Sequence, residues 1–257
     1  MDVIRAKKGF LCDMDGVIYH GNQVLPGVPE FIDWLNRENK KFLFLTNSSE
    51  RSPRELHQKL QRMNIDVSEE HFYTSALATA AFIKSQAPNS SAFVIGDSGL
   101  LNALYDANIT MNDVNPDYVV VGETRNYNYE GIMKAVRLVL GGAKLIGTNP
   151  DLTGPSEAGI LPACRSLISP IELASGRHAY FVGKPNPLMM RTGLKMLGCE
   201  TEDAAIIGDR MDTDIISGIE SDIDTILVLS GVSSRETVKK FPYSPKYIFD
   251  GVGEIIK

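Results

Sequence analysis

The chain reads as an α/β protein, a doubly wound parallel-sheet core interrupted by a second, inserted α/β domain. Short apolar runs that close on Gly, Asp or Thr alternate with segments of helical period along the chain, the pattern of buried parallel strands and crossover helices. A second strand–helix series starts after the Pro-Asn-Ser-Ser turn at 88–91 and holds none of the polar motifs that close the flanking strands. The first pattern resumes at Tyr180. The expected division is a core of residues 1–80 and 180–257 around an inserted domain of 81–179.

Phe10, Leu11 and Cys12 make the first strand, which runs into Asp13 and Asp15. Residues 26–39 carry Val28, Phe31, Ile32 and Leu35 at helical spacing, with Pro29 tolerated in the first turn. KFLFLT, 41–46, is the next strand. Ser52, Pro53 and Glu55 predict a capped helix start with a capping-box acid, on a helix that buries Leu56, Leu60 and Met63. A brief strand at 72–74 and a helix over 76–85 follow. In the inserted stretch, AFVIG predicts a strand and Ser98 caps the next helix; strands at 118–122 and 144–148 flank a helix over 129–140. The core then returns with 180–182, a helix over 187–197, the strand AAIIG at 204–208, a helix from about Thr213, and strands at 225–231 and 247–249.

With 257 residues, 43% hydrophobic and 23% charged, the chain has the composition of an ordinary globular protein. A net charge of -6 and a pI near 5.3 argue against general binding to nucleic acid or a membrane surface. Cys12, Cys164 and Cys199 form no CxxC pair and read as free thiols of a reducing compartment. MDVIRAKKGF lacks the apolar stretch of a signal peptide and no later run spans a bilayer, so a cytoplasmic placement is expected. His20, His57, His71 and His178 are scattered, which disfavours a histidine metal site.

The chemistry concentrates at strand ends. Asp13 and Asp15 follow an apolar strand, where side chains of alternate residues share a side. Two such carboxylates repel and call for a cation, although Asp-x-Asp-Gly also serves as a solvated turn. Thr46 and Asn47 close the second strand, where a hydroxyl and backbone N–H groups can hold phosphate oxygens. Lys184 sits between Gly183 and Pro185, and Asp209, Asp212 and Asp214 crowd a strand-to-helix turn in which Asp212 or Thr213 suits the cap. Gly96-Asp97-Ser98-Gly99 has no lysine or dinucleotide fingerprint and is discounted.

The four stretches DMDGVIY, LTNSS, VGKPNP and IIGDRMDTDI, in that order, resemble the motifs of haloacid dehalogenase (HAD) superfamily phosphatases, of the NagD-like subfamily. The resemblance spans essentially the whole chain and implies a HAD core with an α/β cap. It implies Asp13 as nucleophile and Asp15 as general acid and base, through a phospho-aspartate. Thr46, Asn47 and Lys184 become phosphate ligands. Mg2+ is held by Asp13, the backbone carbonyl of Asp15, and Asp209, with Asp214 behind them. The implied substrates are small phosphate monoesters, nucleoside monophosphates or sugar and polyol phosphates, with the 148–165 loop supplying leaving-group contacts. A cap closing over the core bars phosphoproteins. The rival is a non-catalytic phosphometabolite or nucleotide sensor on the same scaffold. Expected partners are small phosphorylated metabolites, not nucleic acid or membrane; the oligomeric state, a homo-oligomer included, stays open.

Overall fold

A computed structural model of the chain describes residues 2–156 and 159–257. Two compact units emerge: residues 1–46, 57–73 and 184–257 form one, and 47–56 with 74–183 the other. The stretch 47–56 and the helix from Ser75 therefore group with the unit whose expected start was 81.

The first unit is built on a six-stranded sheet in the order Tyr247–Phe249, Asp224–Val228, Ala204–Gly208, Gly9–Cys12, Lys41–Thr46, Phe72–Thr74. Gly9–Cys12 pairs in parallel with Lys41–Thr46 on one side and Ala204–Gly208 on the other. Later strands are laid outward from it in both directions, the doubly wound order, so the order reverses beside Gly9–Cys12. Crevices at the carboxyl ends of strands flanking such a reversal are where open α/β sheets bind ligands.

Both central strands are buried end to end, which is why they read as unbroken apolar runs. Helix Val28–Arg37 buries Val28, Phe31, Ile32, Trp34 and Leu35. Its Trp34 ring stacks on Phe31 at 6.0 Å and meets Phe10 edge-on at 5.6 Å. Helix Pro53–Arg62 begins as expected: Ser52 N–H and Oγ both donate to Glu55 Oε2 at 2.8 Å, and Glu55 N–H returns a bond to Ser52 Oγ. Leu56 and Leu60 are buried; Met63, beyond the last turn, is only half-buried. Helix Pro187–Leu197 is capped by Asn186, whose side chain accepts from Leu188 N–H.

The second unit carries its own five-stranded parallel sheet, ordered Tyr180–Phe181, Lys144–Gly147, Tyr118–Val121, Ser91–Ile95, Thr110–Met111. Val119, Val121 and Leu145 pack with Ala135 and Val139 of helix Tyr129–Leu140 and Leu167, Ile168 and Ile171 of helix Cys164–Ser175. Three details differ from the sequence reading. Tyr180–Phe181 belongs to this sheet and does not open the return of the core, because Tyr180 pairs with Ile146. Helix Ser98–Asp106 has Asp97 at its N-cap position, so Ser98 is its first residue and not its cap. The 148–165 stretch contains a hairpin, Thr153–Ser156 with Gly159–Pro162, that its Gly and Pro content hid; Glu157 and Ala158 lie outside the described residues.

Candidate active site

Two acids stand at the carboxyl ends of adjacent strands. Asp13 follows Gly9–Cys12, its N–H donating to the Ile207 carbonyl at 2.8 Å, and Asp209 follows Ala204–Gly208. A third, Asp214, comes from the wide helical turn Met211–Ile215 that follows. Glycines make room for this crowding. A Cβ at Gly208 would strike the Asp214 carboxylate, and one at Gly16 or Gly231 would strike that of Asp209.

Lys184 is 2% exposed, a burial a lysine tolerates only when paired. Its Nζ donates to Asp13 Oδ1 at 2.6 Å, Asp214 Oδ1 at 2.7 Å and the Leu45 carbonyl at 3.0 Å. Burial works against its charge, but Asp13 and Asp214 outweigh it and hold the ammonium above its ordinary range. Asp214 is committed on its other side as well, since Oδ2 accepts from Arg210 N–H at 3.2 Å.

Asp209 is arranged differently. Its Oδ2 accepts from Val232 N–H at 2.7 Å, while Oδ1 is buried without a hydrogen-bond partner. Burial first, and then the Asp214 charge, push its carboxyl up to about 7. Burial also lifts Asp13 well above the usual carboxylate range, with Lys184 pulling the other way. Asp13, Asp209 and Asp214 each offer an oxygen within 4.8 Å of the others. Two buried carboxylates and the partly buried Asp13, with a single lysine held by two of them, leave negative charge uncompensated, and the orphaned Asp209 oxygen marks where. Such an all-oxygen, anionic set fits a hard divalent cation.

The structure thus brings four of the sequence-predicted residues together: Asp13, Lys184, Asp209 and Asp214. Asp15 lies in the turn after Asp13, half-buried, and bridges to Tyr19. Thr46 is buried at the end of the strand beside Asp13. Asn47 is buried too, and its side-chain amide donates to Asp151 Oδ2 at 3.0 Å within the second unit. Asp212 is exposed and paired with Arg210, so it caps nothing; Arg210 itself stands at the N-cap position. Sequence reasoning missed the Leu45 carbonyl, the Val232 N–H and Gly231, which meet Lys184 and Asp209 here. Gly231, at the end of the expected 225–231 strand and three residues past the observed Asp224–Val228, was the one readable hint of the last.

A family model described as haloacid dehalogenase-like hydrolase matches residues 10–110, and a HAD-hydrolase-like model matches 181–255. The chain belongs to the haloacid dehalogenase-like hydrolases. Among relatives of this family, the dihydroxyacetone phosphatase of Corynebacterium glutamicum is 44% identical over 246 residues, 96% of this chain and 90% of that protein. The ribonucleotide monophosphatase NagD of Escherichia coli is 41% identical over 248 residues, 96% and 98% of the two chains. The structure of a 4-nitrophenylphosphatase from Thermotoga maritima superposes with a TM-score of 0.94 at 33% identity, covering 98% of this chain and 97% of the other. Within the haloacid dehalogenase-like hydrolases the chain is a NagD-like phosphatase, which sets aside the non-catalytic sensor.

Proposed function

We propose that this phosphatase hydrolyses small phosphate monoesters in a magnesium-dependent reaction through a phospho-aspartate on Asp13. The observation that carries the reading is the Lys184 ammonium lodged between Asp13 Oδ1 and Asp214 Oδ1, at 2.6 and 2.7 Å, beside an Asp209 oxygen without a partner. Asp13, Asp209 and the backbone carbonyl of Asp15 would hold the magnesium, with Asp214 fixing Lys184. When bound, magnesium supplies positive charge against the phosphate oxygens.

The steps belong to the side chains. An Asp13 oxygen attacks phosphorus, the bond from phosphorus to the ester oxygen breaks, and Asp15 gives that oxygen its proton. Asp15, now ionised, takes a proton from water as the water oxygen attacks the phospho-aspartate. The bond from phosphorus to the Asp13 oxygen then breaks, releasing phosphate and restoring both acids. Lys184 offsets charge on the transferring oxygens, and Thr46 and the Asn47 backbone complete the phosphate cradle. Lys184 also favours the ionised form of Asp13 that a nucleophile needs, partly offsetting the burial that raises its carboxyl.

The substrate class follows the relatives' names, a triose phosphatase and a nucleotide phosphatase. Nucleoside monophosphates and sugar or polyol phosphates are therefore the proposed substrates, in a cytoplasmic setting that suits the buried thiols of Cys12 and Cys164. Phosphate release from p-nitrophenyl phosphate, with and without magnesium, and a panel of monoesters test the reading. Asp13→Asn should abolish turnover and leave the fold intact. Turnover in a clean Asp13→Asn preparation refutes the phospho-aspartate, full activity in EDTA refutes the magnesium, and phosphopeptides as best substrates refute the class.

A further inference from the structure

The second unit begins at Asn47, one residue after Thr46, and ends at Gly183, one residue before Lys184. Both ends meet at one buried side chain. Asn149, fully buried just past strand Lys144–Gly147, donates from Nδ2 to the Asn47 carbonyl at 2.6 Å and to Glu123 Oε1. Its Oδ1 accepts from Asp151 N–H at 3.1 Å. Glu123 Oε2 in turn accepts from the N–H of Ser49 at 3.1 Å and from its hydroxyl, and Glu123 N–H donates back to Ser49 Oγ at 3.1 Å.

The other end is as tightly held. Gly183 N–H donates to the Thr148 carbonyl at 2.7 Å. A Cβ at Gly183 would lie 2.7 Å from Asn149 Cβ and 2.8 Å from Asn47 Oδ1, so only glycine lets the two chain ends sit on Asn149 together. Gly122 similarly leaves no room for a Cβ against Ser49 Oγ. Donor and acceptor roles are all assigned: Glu123 gives acceptors to Ser49 and Asn149, and Asn149 gives donors to Glu123 and Asn47.

From this geometry we infer that Asn149, oriented by Glu123, is a positioning residue for the phosphate-binding machinery. It clasps residue 47 directly and, through the close packing at Gly183, residue 183. The covalent neighbours of those residues are Thr46 and Lys184, the two side chains aimed at phosphate. The inference rests on the phosphate roles proposed above for Thr46 and Lys184. Asn149 is wholly buried and acts through the backbone, by removing freedom from two segments.

Asn149→Asp tests this by setting a carboxylate against the Asn47 carbonyl and the Glu123 carboxylate. Misplacement of catalytic groups by about 1 Å costs up to roughly 100-fold in rate, so kcat for p-nitrophenyl phosphate should fall roughly 10- to 100-fold. Glu123→Gln added to Asn149→Asp restores a donor–acceptor pair between 123 and 149 and keeps an acceptor for Ser49. The double variant should regain several-fold over Asn149→Asp, with inhibition by inorganic phosphate strengthening in parallel. A merely structural role would lower the melting temperature but leave kcat intact well below melting. Unchanged kcat in folded Asn149→Asp, or a double variant that falls by the product of the single losses, overturns the inference. Should Asn149→Asp not fold, Asn149→Ser carries the same test, and unchanged kcat there overturns it equally. Lys184→Met run alongside separates the layers. If Lys184→Met is inactive and Asn149→Asp fully active, the clasp alone is wrong; if both are fully active, the phosphate reading fails with it.

Discussion

Replacing Asp209 by Asn should abolish magnesium-dependent turnover and yet stabilise the metal-free protein. Asn is close to isosteric, and its oxygen can keep the 2.7 Å bond from Val232 N–H while its amide takes the place of the orphaned, buried Oδ1. In the native protein the carboxyl rises from 3.8 to about 7, chiefly through burial and then through Asp214. At 1.36 kcal/mol for each pH unit, and trimmed for relaxation around the charge, this corresponds to roughly 2–4 kcal/mol of strain above neutral pH. For a chain of this size that is a gain of roughly 5–15 °C in melting temperature for the variant. The sign follows from the direction of the shift. A raised native pKa contributes stability that is complete below the unfolded value of 3.8 and is lost as pH rises through about 7. The gap between Asp209→Asn and the parent, measured by calorimetry in EDTA, should therefore be widest at pH 8 and shrink to less than about half by pH 5. Magnesium at pH 8 should raise the melting temperature of the parent and not of the variant. No gap at pH 8, or one of the same size at pH 5, would refute the reasoning that Asp209 is a strained, uncompensated charge.

The remaining predictions concern the other groups. Lys184→Met removes a donor aimed at transition-state charge and takes the ammonium from Asp13 Oδ1 and Asp214 Oδ1, so the activation free energy should rise by about 3–4 kcal/mol and kcat fall accordingly. The exposed Lys239→Met should leave kcat unchanged, and near-parent activity in Lys184→Met would return that lysine to a structural role. Asp15→Asn should slow the first step for alkyl phosphates far more than for p-nitrophenyl phosphate, whose leaving group needs little protonation; single-turnover traces with equal losses for both would count against Asp15 as the acid. Gly231→Ala drives a methyl group into the Asp209 carboxylate and should weaken magnesium binding, seen as a raised half-saturating concentration, with secondary structure unaltered.

Much of the core was legible because each strand that positions the site is a short apolar run closed by a polar residue. The strands Gly9–Cys12, before Asp13, and Ala204–Gly208, before Asp209, are buried at every position, so composition alone marks them. The capping box at Ser52 and Glu55 was readable for a local reason, since both partners lie within one helical turn. What the sequence concealed depends on pairing across distance. Tyr180–Phe181 looks the same whether it pairs with Lys144–Gly147 or with the other sheet. Asp97 and Ser98 are both good N-cap residues, and the backbone decides between them. Met211–Ile215, which carries Asp214, winds wider than an α-helix; a regular helical period gives no warning of that.

Trp34 is the one tryptophan of the chain, and it lies 6% exposed in the first unit, clamped between Phe10 and Phe31 with the Lys40 ammonium 5.7 Å above its ring. Excited where tyrosine no longer absorbs, its fluorescence therefore speaks for that unit alone. A red shift in emission times the loosening of the sheet that carries Asp13 and Asp209, whereas unfolding confined to residues 74–183 is silent to it. Circular dichroism sums over both. Recorded together in one denaturant titration, the two signals separate the stabilities of the two units without cutting the chain or adding a label.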